Sequence, residues 1–210
     1  MVFVLTLFLK ESKMNLPNKL SLIRIAIIPI LVLVVIFPYA QYDISIPVWT
    51  FDFVSISLTN IVVLVLFVIG SITDFLDGYI ARKNNIITTF GKFVDPIADK
   101  MLTTTMFIIF TAQGVIPMVA LLIMVWRDII VDGIRMVASS EGEVIAAGYL
   151  GKIKTVAQML TIIVILMNNL PFELASFPMA DFLLWFSVTI SFVSGLSYFL
   201  QARHFLFKSK

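Results

Sequence analysis

The sequence contains no cysteine and only one histidine, His204. Disulfides, thiolate zinc sites and a cysteine nucleophile are therefore excluded, and no histidine cluster can form. A metal ion in this protein must be held by oxygen, which suits hard cations such as magnesium or manganese. Charge is scarce as well. Only 13% of the 210 residues are charged, against about 25% in an ordinary soluble domain. No alternating polarity of the β-barrel kind runs along the chain, and no internal repeat stands out. What fills the space is apolar: 60% of the residues are hydrophobic and the mean hydropathy is +1.04. That composition excludes a disordered chain and argues against a water-soluble single core.

A membrane helix needs about 20 mainly apolar residues. Six stretches qualify, at roughly 20–38, 56–80, 97–113, 116–137, 147–170 and 180–202. Turn residues separate them: Pro38, Pro47, the run from Gln113-Gly114 to Pro117, and Asn168-Asn169-Leu170-Pro171. The expected architecture is an all-α membrane protein, a six-helix transmembrane bundle. All 15 lysines and arginines fall on one side of it. Lys10, Lys13, Lys19 and Arg24 precede or open the first stretch. Arg82, Lys83, Lys92 and Lys100 surround the second connection. Arg127, Arg135, Lys152 and Lys154 surround the fourth, and Arg203, Lys208 and Lys210 follow the last stretch. The opposite loops carry only Asp43, Asp52, Glu173 and Asp181. By the positive-inside rule both termini are cytoplasmic. Residues 1–19 are then a cytoplasmic or interfacial segment, 20–207 the membrane domain and 208–210 a short tail. Val2–Leu9 is too short to span and lacks the flanks of a signal peptide. The pI of about 8.9 points to anionic lipid headgroups rather than nucleic acid.

The acids on the basic side are clustered. Asp74-Phe75-Leu76-Asp77-Gly78-Tyr79-Ile80-Ala81-Arg82 is followed, after eight residues, by Gly91-Lys92-Phe93-Val94-Asp95-Pro96-Ile97-Ala98-Asp99. Asp74 and Asp77 are three apart, and Asp95 and Asp99 four apart, so each pair shares a helix face. The segment Lys83–Phe90 is short enough for an antiparallel hairpin that brings the pairs together at the cytoplasmic boundary. Four carboxylates in a partly desolvated cleft repel one another unless cations join them. One or two magnesium or manganese ions would resolve that repulsion. Gly78 and Gly91 remove side chains where a ligand could approach the backbone. Arg82 adds a fork of donors suited to phosphate oxygens. Carboxylates, divalent ions and a forked cation together suit a diphosphate.

The pattern D-x-x-D-G-x-x-A-R, eight residues, G-x-x-x-D-x-x-x-D resembles the signature of the CDP-alcohol phosphotransferase family, with every fixed position filled. Asn15-Leu16-Pro17-Asn18-Lys19-Leu20-Ser21, leading to Arg24, resembles that family's entry into its first helix. Trp126-Arg127-Asp128, Arg135 and Gly151-Lys152-Ile153-Lys154-Thr155 resemble its phosphatidylglycerophosphate-forming branch, although Asp128 stands where relatives often carry Glu. The likeness covers about the whole chain after Met14. It implies a two-metal centre on Asp74, Asp77, Asp95 and Asp99, with Asp99 also the general base. It implies a CDP-lipid pocket lined by Asn18, Gly78, Arg82 and Gly91. It implies phosphatidyl transfer from CDP-diacylglycerol to glycerol 3-phosphate, releasing CMP, in a homodimer of a bacterial inner membrane with its site facing the cytoplasm.

The acceptor is read from a second basic group. Arg127 and Arg135 are eight apart, about two turns, and can share a face. Lys152 and Lys154 would meet them across the next connection. So much positive charge suits an acceptor that carries its own phosphate. Glycerol 3-phosphate and an inositol phosphate both satisfy that demand, whereas serine does not need it. A divalent-cation transporter is the competing class, because it too would place carboxylates inside a helix bundle. Against it, the acids sit at one boundary and no acidic path continues to the other face.

Overall fold

A computed structural model describes residues 15–51, 54–83, 89–142 and 148–206. The N-terminal segment as far as residue 14 and the 208–210 tail lie outside the described residues. The described chain forms six α-helices and one small hairpin: α1 Leu16–Ile36, β1 Val48–Phe51, β2 Val54–Ser57, α2 Leu58–Lys83, α3 Thr89–Ala112, α4 Met118–Ser140, α5 Tyr149–Leu166 and α6 Met179–Leu206. The chain divides into two compact units, Met1–Thr105 and Met106–Lys210, with the division inside α3.

Four helical segments are long and apolar enough to cross a membrane: Asn18–Ile36, Leu58–Gly78, Tyr149–Leu166 and Met179–His204. Large apolar side chains on them face outward, Leu33, Ile36, Val65 and Phe192 among them. An outer surface of this kind belongs in lipid. The protein is thus an all-α membrane protein apart from the hairpin. The other two expected spans are α3 and α4. They are helices of full length, but their charges lower the mean hydropathy: Lys92, Asp95, Asp99 and Lys100 in α3, and Arg127, Asp128, Asp132 and Arg135 in α4. α3 also overruns its apolar stretch. α3 begins at Thr89 rather than near 97, so Asp95 and Asp99 stand inside the helix rather than at its start. A hydropathy window closes where charge begins, whereas the backbone ladder continues through it.

In the first unit α1 packs along α2. Pro17 falls in the first turn of α1, where a missing N–H costs nothing. The helix stops just before Pro38, as the residue ahead of a proline avoids helical backbone. One face of α1 is polar and buried at Asn18, Ser21 and Arg24, then apolar and buried at Ile27, Ile28 and Leu31. That three-and-four spacing is one stripe of a helix. A single 3-10 turn, Tyr39–Tyr42, follows, held by Tyr39 Oη donating to the Val34 carbonyl at 2.9 Å. The antiparallel hairpin pairs Trp49 with Ile56 and Thr50 with Ser55. It leads straight into α2, where Ser57 Oγ accepts the Asn60 amide at 3.2 Å and caps the helix. Four-residue strands between long apolar runs leave almost no periodic signal, and the sequence alone does not show them.

In the second unit α6 packs on both α4 and α5. Its buried face reads Ser187, Ser191, Ser194, Tyr198 and Ala202. Small residues let membrane helices approach closely where no hydrophobic drive separates protein from lipid. Between α5 and α6, Asn168 and Asn169 take positive φ of 49° and 63°, which asparagine tolerates better than most residues. The Asn169 amide then ties the loop together. Its Nδ2 donates to Glu173 Oε2 and to the Phe177 carbonyl, and its Oδ1 accepts the Ala180 amide.

Candidate active site

The acidic cluster is built in the first unit from α1, α2 and α3. Asp74 and Asp77 are one turn apart on α2, and Arg24 of α1 reaches both. Its Nη2 donates to Asp77 Oδ2 at 2.6 Å, and its Nη1 lies 2.6 Å from Asp74 Oδ1. The second contact is an ion pair without hydrogen-bond alignment, and Nε finds no partner among the described residues. Arg24 is fully buried, Asp77 is 2% exposed and the Asp74 side chain 34%. Ser21 Oγ lies 2.5 Å from Asp95 Oδ1 and 3.3 Å from Asp77 Oδ2. One hydroxyl has one hydrogen. Ser21 can therefore donate to only one of the two carboxylates at a time.

Three of the four expected carboxylates, Asp74, Asp77 and Asp95, are thus gathered around one serine and one arginine of α1. Asp99 is half-buried one turn further along α3. Among the described residues no group of three or more Asp, Glu or His side chains is arranged to hold a metal ion as it stands. The donor chemistry nevertheless fits a hard divalent cation. The gathered side-chain donors are carboxylate and hydroxyl oxygens, and three acidic groups stand about the Arg24 and Ser21 side chains. Asn18 is buried on α1 one turn before Ser21, and Gly78 is half-buried beside Asp77. Arg82 lies on α2 one turn beyond Gly78, with its side chain outside what is described. Gly91 lies in the first turn of α3.

Ser21 and Arg24 are the residues that sequence reasoning missed as parts of this site. Arg24 counts there only as a topology charge and as part of the entry to the first helix. The signal was available: Asn18, Ser21 and Arg24 are spaced three apart in an otherwise apolar span. Polar groups on one stripe of a membrane helix face protein rather than lipid.

The basic group is built in the second unit. Arg127 Nη1 donates to Asp128 Oδ1 at 2.8 Å, and Arg127 Nη2 to Ser194 Oγ at 2.6 Å. Lys154 of α5 donates to both oxygens of Asp128, at 2.8 and 3.0 Å. The side chains of Arg127, Asp128 and Lys154 are 10, 16 and 7% exposed. Arg135 Nη2 donates to Tyr198 Oη at 2.7 Å. Arg127 and Arg135 are about 12 Å apart along α4, yet both guanidinium carbons come within cation–π range of the Tyr198 ring, at 5.6 and 5.1 Å from its centroid. Arg127 crosses α6 where Gly195 leaves room. A β-carbon there would stand 2.9 Å from Arg127 Cγ. Three of the four expected cations are therefore joined, Arg127 and Arg135 through Tyr198 and Lys154 through Asp128. Lys152 is exposed on α5, and no contact among the described residues ties it to the group. Asp128, one methylene shorter in reach than the glutamate often found there, still bridges both cations.

A family model described as CDP-alcohol phosphatidyltransferase matches residues 14–193. A relative from Bacillus subtilis (strain 168), named CDP-diacylglycerol–glycerol-3-phosphate 3-phosphatidyltransferase, is 43% identical over 185 residues, covering 88% of this chain and 93% of its own. A relative of the same name from Rickettsia bellii is 31% identical over 192 residues, covering 91% and 97%. Another, from Mycoplasma genitalium, is 42% identical over 98 residues, covering 47% and 42%.

Proposed function

The chain belongs to the CDP-alcohol phosphatidyltransferase family, and from that premise we propose that it transfers the phosphatidyl group of CDP-diacylglycerol to sn-glycerol 3-phosphate. The products are phosphatidylglycerophosphate and CMP. The observation that carries this reading is the gathering of Asp74, Asp77 and Asp95 about Ser21 and Arg24, in a chain whose full-length relatives bear that enzyme's name.

Asp74, Asp77, Asp95 and Asp99 are the proposed ligands of divalent ions, two of magnesium or manganese. Held there, such ions would supply positive charge to neutralise the diphosphate and stabilise the departing CMP. Asn18, Gly78, Arg82 and Gly91 hold the CDP part of the lipid, where the two glycines let the nucleotide approach the protein backbone and Arg82 forks onto phosphate oxygens. Asp99 accepts the proton of the acceptor's primary hydroxyl. The freed oxygen attacks the lipid-side phosphorus, the bond from that phosphorus to the bridging oxygen breaks, and CMP leaves with its electrons. No cysteine and no clustered histidine offers a covalent route, so direct displacement is preferred. Arg127, Arg135, Lys152 and Lys154 are the proposed cations for the acceptor's own phosphate.

The charge asymmetry supports six spans with both termini and the site on the cytoplasmic side. Likeness to the family supports a bacterial inner membrane and a homodimer as the working form. Reporter fusions at the two termini and in the Glu173 loop would test the topology. The central test is release of CMP by the purified protein. It should need CDP-diacylglycerol, glycerol 3-phosphate and magnesium or manganese together, and Asp95→Ala should abolish it. Activity that survives Asp95→Ala rejects the centre. A competition assay in which inositol phosphate or serine outruns glycerol 3-phosphate rejects the acceptor.

A further inference from the structure

Tyr198 lies 3% exposed on α6 and meets every part of the basic group that α4 supplies. Its oxygen accepts Arg135 Nη2 at 2.7 Å and the Gly148 amide, at the start of α5, at 2.8 Å. Its ring stands within 5.6 Å of the Arg127 guanidinium carbon and 5.1 Å of that of Arg135. Two guanidinium groups drawn to one place repel each other. The negative face of an aromatic ring offsets part of that repulsion. Without the ring, long cationic side chains would extend toward the headgroups. The Gly148 contact matters in the same way, because it anchors the phenol to the first turn of the helix that carries Lys154.

The phenol also has a donor to spare. A tyrosine oxygen offers two acceptor positions and one hydrogen. Arg135 and Gly148 fill both acceptor positions, and no acceptor for the hydrogen is found among the described residues. A buried hydroxyl ordinarily has a partner. A hydrogen-bond donor left over beside two guanidinium groups makes a place for an anion with several oxygens.

We propose that Tyr198 is a specificity-determining residue of the acceptor site: it sets Arg127 and Arg135 about one ring and gives its hydroxyl hydrogen to the acceptor's phosphate. This rests on the reading above, in which the basic group takes that phosphate. Tyr198→Phe keeps the ring and removes the hydroxyl. It should raise the KM for glycerol 3-phosphate on the order of tenfold, with kcat and the KM for CDP-diacylglycerol within about twofold, since a single hydrogen bond to a charged group is lost. Tyr198→Leu removes ring and hydroxyl and should raise the same KM further. In an Arg135→Gln background, Tyr198→Phe should cost less than it does alone, because residues that act as a unit are not additive.

Three results overturn the proposal: a glycerol 3-phosphate KM unchanged in Tyr198→Phe, an equal loss for both substrates, or effects of the two substitutions that simply multiply. Arg135→Gln separates this failure from that of the underlying reading. If Arg135→Gln raises the acceptor KM and Tyr198→Phe does not, the tyrosine proposal alone fails. If neither changes it, the basic group is not the acceptor site.

Discussion

The two polar centres of this protein are electrostatic opposites. In the first unit a fully buried arginine, Arg24, stands among Asp74, Asp77 and Asp95. In the second, one largely buried aspartate, Asp128, stands between Arg127 and Lys154, with Arg135 held nearby on Tyr198. Each centre gathers several groups of one sign about a group of the other. Full neutralisation would leave nothing to attract a ligand, and none at all would make burial of the cluster too costly. The opposite charge lets the chain fold around the cluster. The prevailing sign is negative where a divalent cation is proposed and positive where a phosphate is proposed. The units also differ in depth. Arg24 is wholly enclosed, whereas Asp128 is 16% exposed.

If that contrast holds, removing the two counter-charges should hurt unequally, and the larger loss belongs to Arg24. Arg24→Met leaves Asp77 buried and uncompensated, a loss of about 3–5 kcal/mol. Thermal melting in detergent should show a fall on the order of 10 °C, by the usual conversion for a chain of this size. Added manganese should recover part of it, because the ion supplies the missing charge. A melting temperature like the parent's would break the comparison at its stronger end. Asp128→Asn comes second, at about 2 kcal/mol, since it weakens hydrogen bonds to two cations. Arg127 keeps Ser194 as a partner, and long cationic stems can shift toward water. A loss from Asp128→Asn equal to that from Arg24→Met would mean that depth does not separate the two centres.

How far these centres were legible depended on which helix carried the residue. Asp74, Asp77, Asp95 and Asp99 stand in a run whose spacing puts each pair on one face, and the structure brings three of them together as that spacing implies. Arg24 and Ser21 carry no such dense pattern. Their meaning lies across the fold, and only the three-residue spacing from Asn18 marks them. Tyr198 was less visible still. A tyrosine in an apolar span reads as an interfacial or packing residue, and nothing local says that Arg135 and Gly148 will reach its oxygen. Lys154 reads in the sequence as one of the cations for the acceptor's phosphate. The structure pairs it with Asp128, so its charge is shared before any ligand arrives. The charges in the first turns of α3 hide its start from a hydropathy reading, which places it near 97 rather than at Thr89. The hairpin between α1 and α2 escaped notice because four-residue strands are shorter than any window that separates period two from noise.

Gly195 offers a finer probe of the basic centre than any charge removal. Gly195→Ala puts a methyl group 2.9 Å from Arg127 Cγ, a distance that forces the arginine stem to move. Overpacking of this kind costs about 1 kcal/mol or more. Arg127 would lose its place beside Ser194 and Tyr198, while nothing in the first unit is touched. The KM for glycerol 3-phosphate should rise several-fold, on the order of five, with the KM for CDP-diacylglycerol held. A variant in which the CDP-diacylglycerol KM changes instead would reverse the assignment of substrates to centres.

The smallest effect is expected at Lys152, and it is informative for that reason. From sequence alone Lys152 and Lys154 are equivalent, two lysines flanking one isoleucine at the start of a helix. In the structure they are not. Lys154 points into the unit and holds Asp128, whereas Lys152 is exposed. Two residues apart on a helix means about 200° around its axis, so the two side chains cannot serve one pocket in the same way. An exposed charge acts through solvent and is worth at most about 1 kcal/mol. Lys152→Gln should therefore change the acceptor KM by about twofold or less, and raising the salt concentration should erase the difference. Lys154→Gln, measured alongside, should cost stability as well as acceptor affinity, because it unpairs Asp128. If Lys152→Gln instead proves the more damaging of the two, the acceptor phosphate is held at the exposed face of α5, and the enclosed Asp128 network is scaffolding rather than site.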